Sequence, residues 1–276
     1  MSFIAYLING ISLGSVYAII ALGYTMVYGI AKMLNFAHGD VIMIGCYVVF
    51  TMTSGLQFNP LLSVLISVVV CTVLGIVVEK VAYKPLRKAS PLAVLITAIG
   101  VSYLLQNIAL LVFGADTKSF SSIITLPALK LAGGKLSISS VAIVTVVTCV
   151  IIMAGLMLFI KKTKAGRAML AVSEDKDAAQ LMGVNVNGTI SLTFAIGSGL
   201  AAIAGVLLCS AYPTLTPYIG SMPGAFIGGI LLGIIEVLGR AYISSQLSDA
   251  IVFAVLIIVL LVKPTGILGK PIHEKV

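Results

Sequence analysis

Long uncharged, apolar runs alternate with short polar and basic segments along most of this chain. The uncharged runs cover 1–31, 41–78, 89–115, 136–160 and 178–235. Each run is at least as long as the ~20 residues that an apolar helix needs to cross a bilayer. Lipid cannot satisfy bare backbone N–H and C=O groups, and the apolar runs are continuous and do not alternate with polar residues. The pattern therefore predicts membrane-spanning helices and not a barrel.

The apolar runs divide into predicted helices, whose bounds are 5–30, 40–57, 61–82, 91–113, 139–161, 188–211, 224–245 and 248–263. The expected fold class is all-α: a single polytopic transmembrane helix bundle over 1–276, with about 8 membrane segments, among which re-entrant or broken helices are allowed. The stretch 114–138 is the one sizeable outer loop, with mixed composition and little sign of a domain.

Composition supports an integral membrane protein. The chain is 60% hydrophobic and only 9% charged, whereas soluble domains have roughly 45–50% apolar and about 25% charged residues. Its net charge of +8 is no sign of nucleic-acid binding, because the basic residues cluster in 80–88 and 161–176 between apolar runs. The positive-inside rule places both segments in the cytoplasm. The basic tail favours the same side, but eight crossings would leave it outside, so the sidedness of the C-terminus stays open.

Small residues are expected to serve packing in this bundle. Gly10 and Gly14 form a G-x-x-x-G pattern, as do Gly229 and Gly233, and in lipid such pairs let two helix backbones approach closely. The cysteines are well spread through apolar runs and are expected to be buried hydrophobic residues, with neither a disulfide nor a metal site: Cys46, Cys71, Cys149 and Cys209.

The sequence LNFAHGD, residues 34–40, interrupts the first long apolar region. Polar groups at membrane depth must face protein or a water-filled cavity. In one interpretation, a discontinuous segment lines a translocation path, where Asn35 and His38 offer hydrogen bonds and Gly39 permits a turn. In the other, this is an inside turn in which Asp40 is the N-cap of the second helix. Composition leaves both open.

Glu236 and Arg240 are the deepest charges of the apolar regions. Their i, i+4 spacing places them on one helix face, where they can pair. An ionisable residue inside a span is a functional candidate by default. The alternative is a self-neutralised pair near the membrane edge.

The sequence SEDKDAAQLMG, residues 173–183, is unusually charged for this chain. We predict a short helix on the cytoplasmic face, with Ser173 as its N-cap, acids in its first turn and Gly183 as its stop. Ala178 and Ala179 would give it a small-residue surface that fits a partner's groove. A solvated connector helix is the alternative.

Asp177 to Gly183 reads D-A-A-x-x-x-G, which resembles the E-A-A-x-x-x-G motif of ABC importer permeases, with Asp in place of Glu. Further segments, at 23–40, 79–87, 164–184, 190–207 and 261–270, occur in matching order. Together they make nearly the whole chain similar to the H-type permease of bacterial branched-chain amino-acid ABC importers.

The resemblance implies a multi-pass permease of the bacterial inner membrane. Its expected partners are two cytoplasmic ATPase subunits, a second homologous permease and an extracytoplasmic amino-acid-binding protein. Its substrate would be a branched-chain or other neutral amino acid. The sequence has no P-loop G-x-x-x-x-G-K-[ST], in keeping with ATP hydrolysis on partner subunits, so we expect neither enzymatic activity nor a cofactor or metal.

The resemblance also assigns candidate residues. The loop 162–187 becomes the coupling loop that docks into the ATPase, and its candidates are Gly166, Arg167, Glu174, Asp177, Ala178, Ala179 and Gly183. The candidates for the translocation path are Tyr24, Asn35, His38, Gly39 and Glu236.

One departure from the family concerns the region after YPTLTPYIGSMPG, residues 212–224, where the chain passes directly to AFIGGILLG, residues 225–233. A segment between two similar Pro-Gly sites is absent. Two other functions stay open. One is an ion-coupled secondary transporter with Glu236 as its buried site. The other is a shortened permease that assembles with its partners and transports nothing.

Overall fold

The computed structural model describes residues 2–87, 89–120, 123–124, 127–131, 136–211, 214–215, 233–235, 237–238 and 241–242. The predicted helix over 248–263 lies outside the described residues, as do Glu236 and Arg240. Only fragments of the predicted helix over 224–245 lie inside them.

Helices make up most of the described chain: α1 Ser2–Ala31, α2 His38–Phe50, α3 Pro60–Val78, α4 Pro91–Phe113, α5 Ser140–Lys162, α6 Lys164–Glu174, α7 Lys176–Leu181 and α8 Val186–Ala211. A π-helical turn, Thr51–Gly55, continues α2, and a second one, Glu79–Tyr83, continues α3. Local signals explain several starts. Asn59 and Ser90 cap α3 and α4 with their side chains, and each helix has proline in its first turn.

Five of the described helical segments are long and apolar enough to cross a membrane: Tyr6–Ala31, Pro60–Leu86, Pro91–Phe113, Ser140–Lys162 and Val186–Ala211. These spans confirm the predicted all-α, polytopic fold. The number of membrane segments stays a prediction, because the later part of the chain lies outside the described residues. The second predicted helix, α2, is not one of the five.

The central helix of the bundle is α8, which packs against α1, α2 and α3. In the most apolar windows of α8 and α1, 83% and 78% of the residues are buried, against 22% for α4 and 11% for α5. The outer helices therefore present broad surfaces to lipid or to another membrane subunit.

Glycines bring α1 into backbone contact with the segment around residue 233. A Cβ on Gly233 would lie 2.7 Å from Cα of Gly14, and one on Gly10 would lie 2.8 Å from Cα of Ile234. The predicted packing role is confirmed for these glycines, whereas Gly229 lies outside the described residues. All the cysteines are buried and free, as predicted: Cys46, Cys71, Cys149 and Cys209.

The outer loop contains short strands and no further domain in its described part. Strand β2, Leu129–Leu131, forms an antiparallel hairpin with β3, Leu136–Ile138. Strand β1, Lys118–Ser119, pairs with β4, Thr214–Leu215. The second pairing ties the outer loop to the chain just beyond α8.

Both basic segments lie at the same end of the bundle. The Arg87 guanidinium donates a hydrogen bond to Asn187, and the Lys176 ammonium donates to the carbonyl of Ala31. These contacts join the segment after α3 and the α6–α7 region to the end of α1 and the start of α8. This arrangement agrees with the positive-inside rule, which places both segments on one side of the membrane.

Candidate coupling surface and translocation path

Helix α6 folds back onto the last turn of α5 through Gly166. Thr163 caps α6, since its hydroxyl oxygen accepts a hydrogen bond from the Gly166 N–H at 2.9 Å. A Cβ on Gly166 would lie 2.3 Å from the carbonyl oxygen of Phe159 and 2.4 Å from Cα of Ile160. Only glycine permits so close a contact between two backbones.

The charged stretch is divided between two helices, so the prediction that Ser173 caps a single helix is wrong. Ser173 lies inside α6, and its hydroxyl donates to the carbonyl of Leu170 at 2.6 Å. The cap is Asp175, whose carboxylate accepts from the N–H groups of Asp177 at 2.8 Å and Ala178 at 3.0 Å. Thr163 caps a helix that already includes Ser173. That helix ends at Asp175, whose extended backbone separates α6 from α7 and makes it the N-cap of α7.

The predicted stop at Gly183 is confirmed. Its φ is +83°, in the left-handed region that favours glycine. The Gly183 N–H donates to Gln180, and the Val184 N–H donates to Ala179, both at 3.0 Å. These bonds satisfy carbonyls at the end of α7, as in a glycine-terminated helix cap.

Most coupling candidates are exposed at the basic end of the bundle: Arg167, Glu174, Asp177, Ala178 and Gly183. Ala179 is only 4% exposed and packs in an apolar cluster with residues of α1 and α8. The prediction of a shared alanine surface is therefore wrong for Ala179. Leu181 and Met182 were not among the predicted residues, although they are 89% and 84% exposed. The sequence signal for them was that two adjacent apolar residues occur in a polar segment between two membrane spans.

Lys176 ties α7 to α1. Its ammonium donates a hydrogen bond of 2.7 Å to the carbonyl of Ala31, the last residue of α1. A cation is favourable there because the helix dipole makes this end negative. Burial lowers the pKa of Lys176, and the positive charges of Arg87 and Lys32 lower it further.

A buried ion pair lies at the same end of the bundle. Glu79, in the π-helical turn after α3, has a fully buried side chain and is paired with Arg87. The second Glu79 oxygen accepts from the Ser191 hydroxyl, and the Arg87 guanidinium also donates to Asn187. This network joins the end of α3 to the first turns of α8.

The break between α1 and α2 packs one side into the bundle, where Met33, Asn35 and Ala37 are buried, while Lys32, Leu34 and Phe36 are exposed. Asn35 accepts a hydrogen bond from the Tyr83 hydroxyl at 3.0 Å. His38 begins α2 and contacts α1 and α8 where they cross: a Cβ on Gly23 would lie 2.9 Å from Cε1 of His38 and 3.0 Å from the carbonyl oxygen of Gly197. Gly197 lies near the middle of α8, so α2 starts at about half the depth of the bundle.

Asp40 is not the N-cap of α2, so that prediction is wrong. The N-cap is Ala37, which provides no side-chain hydrogen bond, and Asp40 lies within the first turn. Its side chain instead reaches α4, where its carboxyl group accepts from Nε2 of Gln106 at 2.9 Å. Asp40 is only 5% exposed.

The other candidates for the translocation path, His38, Tyr24 and Gly39, lie near the break between α1 and α2. His38 is 3% exposed, and neither ring nitrogen makes a hydrogen bond of good geometry, although the Ile20 carbonyl lies near the ring. The ring of Tyr24 meets the His38 ring edge-on, with centroids 6.1 Å apart. Gly39 is partly exposed. The structure thus brings Tyr24, Asn35, His38 and Gly39 into one region, while Glu236 lies outside the described residues.

A groove of about 560 Å³ opens between α1, α5 and α6. Methionines supply much of its lining: Met26, Met153, Met157 and Met169. Glu174 also borders the groove. An apolar lining of this kind suits a hydrocarbon chain better than the charged ends of an amino acid.

Comparison with known proteins gives a consistent set of relatives. The family described as "Branched-chain amino acid transport system / permease component" matches residues 6–219. The chain is 42% identical over 301 residues to the high-affinity branched-chain amino acid transport system permease protein LivH of Escherichia coli K12, covering 99% of this chain and 98% of that protein. It is 41% identical over 303 residues to the corresponding protein BraD of Pseudomonas aeruginosa, with the same coverage. No solved structure matches.

These alignments run over more positions than the 276 residues of this chain. The chain therefore has gaps where its relatives have residues. This agrees with the absent segment inferred from the sequence. The location of the gap, after Gly224, stays a prediction.

Proposed function

Because the chain belongs to the family of permease components of branched-chain amino acid transport systems, we propose that it is the membrane-spanning subunit of an ABC importer. The importer would move leucine, isoleucine and valine into the cytoplasm across the bacterial inner membrane. ATP would be hydrolysed on separate subunits. Two ATPases, a second permease and an extracytoplasmic binding protein would complete the assembly.

The observation that carries this proposal is the exposed face of α7, which we call the coupling surface: Asp177, Ala178, Leu181 and Met182. Two large apolar side chains project here from the basic end of the bundle, beyond the membrane spans. Exposed apolar area of this kind is favourable only when a partner covers it. We assign the ATPase subunit as that partner, with Arg167, Glu174 and Gly183 at the edge of the contact.

Movement of the coupling surface would reach the membrane through α1. Ala179 anchors α7 in the apolar cluster beneath it, and Lys176 bonds to the last carbonyl of α1. A push from the ATPase therefore acts on a helix that crosses α8 in direct backbone contact at Gly23 and Gly197. Closely packed helices of this kind shift as rigid units between two arrangements.

We place the translocation path along the α1–α2 break, with Tyr24, Asn35, His38 and Gly39 as its candidate residues. The support is that α2 begins inside the bundle, where irregular backbone is tolerated only against protein or water. Glu236 remains a candidate from the sequence alone.

Copurification and uptake test the assembly. The tagged chain, co-expressed with its genomic neighbours, should bring down two ATPases and a second permease from mild detergent. Proteoliposomes containing this complex should take up leucine only with ATP and the binding protein, and vanadate should stop uptake. Uptake that follows an ion gradient without ATP would favour the secondary transporter. A complete complex without uptake would favour the shortened, inactive permease.

Gly183→Val is expected to lower leucine uptake about tenfold while the complex still assembles. Valine at a φ of +83° is strained by roughly 1–2 kcal/mol, so the chain must leave α7 in another direction. Gly114→Val is a stricter control for strain, because Gly114 combines a φ of +82° with a ψ of 171°, a region that is essentially restricted to glycine, but it lies at the outer end of α4. Asp177→Lys, which reverses a charge on the coupling surface, should act like Gly183→Val. Normal uptake by both coupling variants would contradict the coupling assignment.

Lys176→Met is expected to reduce the leucine transported per ATP hydrolysed by about threefold or more. Methionine keeps much of the apolar stem and loses the hydrogen bond to α1, which contributes about 1 kcal/mol or more when the donor is charged. Lys176→Arg keeps a charged donor and should restore most of the ratio. Lys162→Met, at an exposed position, controls for the loss of one basic residue. An unchanged ratio for Lys176→Met would show that this bond transmits nothing.

A further inference from the structure

Helix α4 carries polar side chains on one side of its middle, which we call the α4 polar patch: Ser102, Tyr103, Gln106 and Asn107. Their spacing of i, i+1, i+4 and i+5 places them on one face of a helix. Tyr103 is 61% exposed and Asn107 is also exposed, while Ser102 and Gln106 are partly exposed.

The remaining exposed surface of α4 at this depth is apolar. Leu104, Ile108 and Leu111 are 58%, 44% and 86% exposed, and they lie beside the patch around the helix, with Leu104 and Leu111 next to Asn107. Those residues suit contact with lipid. The polar patch does not, because hydrocarbon offers no hydrogen bonds and an unpaired polar group there is costly. The patch must face water or protein.

The depth of the α4 polar patch in the membrane also indicates that it faces water or protein. Helix α4 has 23 residues and is about 34 Å long at 1.5 Å per residue. The patch occupies its central part, well away from both polar membrane surfaces, so the side chains cannot reach the headgroups.

A buried carboxyl group lies directly behind the patch. Gln106 Nε2 donates to Asp40 at 2.9 Å and to the Ser102 hydroxyl at 3.2 Å. The amide hydrogens of Gln106 are thus directed inward, which leaves its carbonyl oxygen as an acceptor. Among the described residues, that oxygen, the Tyr103 hydroxyl and the Asn107 carbonyl oxygen make no hydrogen bond. An intramembrane acid with such neighbours is characteristic of a substrate or ion pathway.

We propose that the α4 polar patch lines the translocation path and binds the ammonium group of a zwitterionic amino acid. The acceptors at Gln106, Asn107 and Tyr103 receive its N–H groups, and the Asp40 carboxyl behind them makes the site acidic. This assignment rests on the proposed import of amino acids. It extends the path from the α1–α2 break to the exposed surface of α4, beside the apolar residues that contact lipid.

Cysteine labelling in the assembled importer tests the patch. Tyr103→Cys and Asn107→Cys should react with a membrane-impermeant methanethiosulfonate at least about tenfold faster than Leu104→Cys and Ile108→Cys, since thiolates react from water and not from lipid. The native cysteines are buried and provide the unlabelled background. Equal, slow labelling of all four variants would overturn the proposal. So would labelling of Asn107→Cys in the isolated subunit but not in the importer, because the second permease would then cover the patch.

Transport measurements test the ligand. Asn107→Ala and Tyr103→Phe should lower the rate of ATP-dependent leucine uptake at saturating binding protein about fivefold or more, and Leu104→Ala should change it less than about twofold. Equal effects of all three changes would overturn the ammonium site. If the wild-type importer itself takes up no amino acid, the proposed function fails. If it transports leucine while the patch cysteines are inert to the aqueous reagent, only the patch assignment fails.

Discussion

Gly166→Ala is expected to abolish leucine uptake and to reduce the amount of correctly folded protein. The new Cβ would lie 2.3 Å from the Phe159 carbonyl oxygen and 2.4 Å from Cα of Ile160. Both obstacles are backbone atoms of α5, so no side-chain rotation relieves the clash, and overpacking typically costs about 1–3 kcal/mol or more. Helix α6 must move off α5, taking buried Met169 and Val172 out of the apolar cluster.

The measurements for Gly166→Ala are thermal unfolding in detergent, by fluorescence-detected size exclusion, and uptake in proteoliposomes. Gly155→Ala is the matched control, because Gly155 lies in α5 with open space around its Cα. Alanine there improves helix propensity by up to about 1 kcal/mol, so stability should hold or rise. If Gly166→Ala unfolds at the wild-type temperature and transports leucine at the wild-type rate, α6 does not contact the backbone of α5 at Gly166.

The spanning helices could be predicted because their signals are local. An uncharged run of sufficient length specifies a span. The caps at Asn59 and Ser90 specify where α3 and α4 begin. The start of α2 depends on distant residues. Tyr83 holds Asn35 from 48 positions away, and His38 fits between α1 and α8. Neither contact is visible in the local sequence, which is why a turn with Asp40 as cap stayed open as one of two interpretations.

The coupling region was located by its motif, but its exposed face was not. Which of two adjacent alanines is buried depends on how α7 lies against α1 and α8, so Ala179 was placed on the surface in error. The exposure of Leu181 and Met182 depends on the same packing. Gln106 and Asn107 were visible as amides within an apolar run. Their meaning depends on which side of α4 is open, and only the packed bundle shows that.

The Glu79–Arg87 pair is expected to show the largest energetic coupling of any two described side chains. Arg87→Met should destabilise the protein by about 3–5 kcal/mol, because it leaves a fully buried carboxylate without its cation. The double variant Glu79→Gln/Arg87→Met removes both charges and keeps an acceptor for Ser191. It should recover more than half of that loss, since a neutral buried pair no longer carries the cost of an unpaired ion.

A double-mutant cycle on these two positions measures the coupling directly. The readout is the unfolding free energy in detergent, with Lys84→Met as the control for removing an exposed basic residue in the same turn. If Arg87→Met is no more harmful than Lys84→Met, the pair contributes little and the join between α3 and α8 must rest on apolar packing. If the cycle shows strong coupling, the pair stabilises the segment after α3, from which Glu79 reaches Ser191 and Arg87 reaches Asn187 at the start of α8. Stiffness at that point is what a coupling mechanism requires, because a push on α7 moves α1 only if the neighbouring helices resist it.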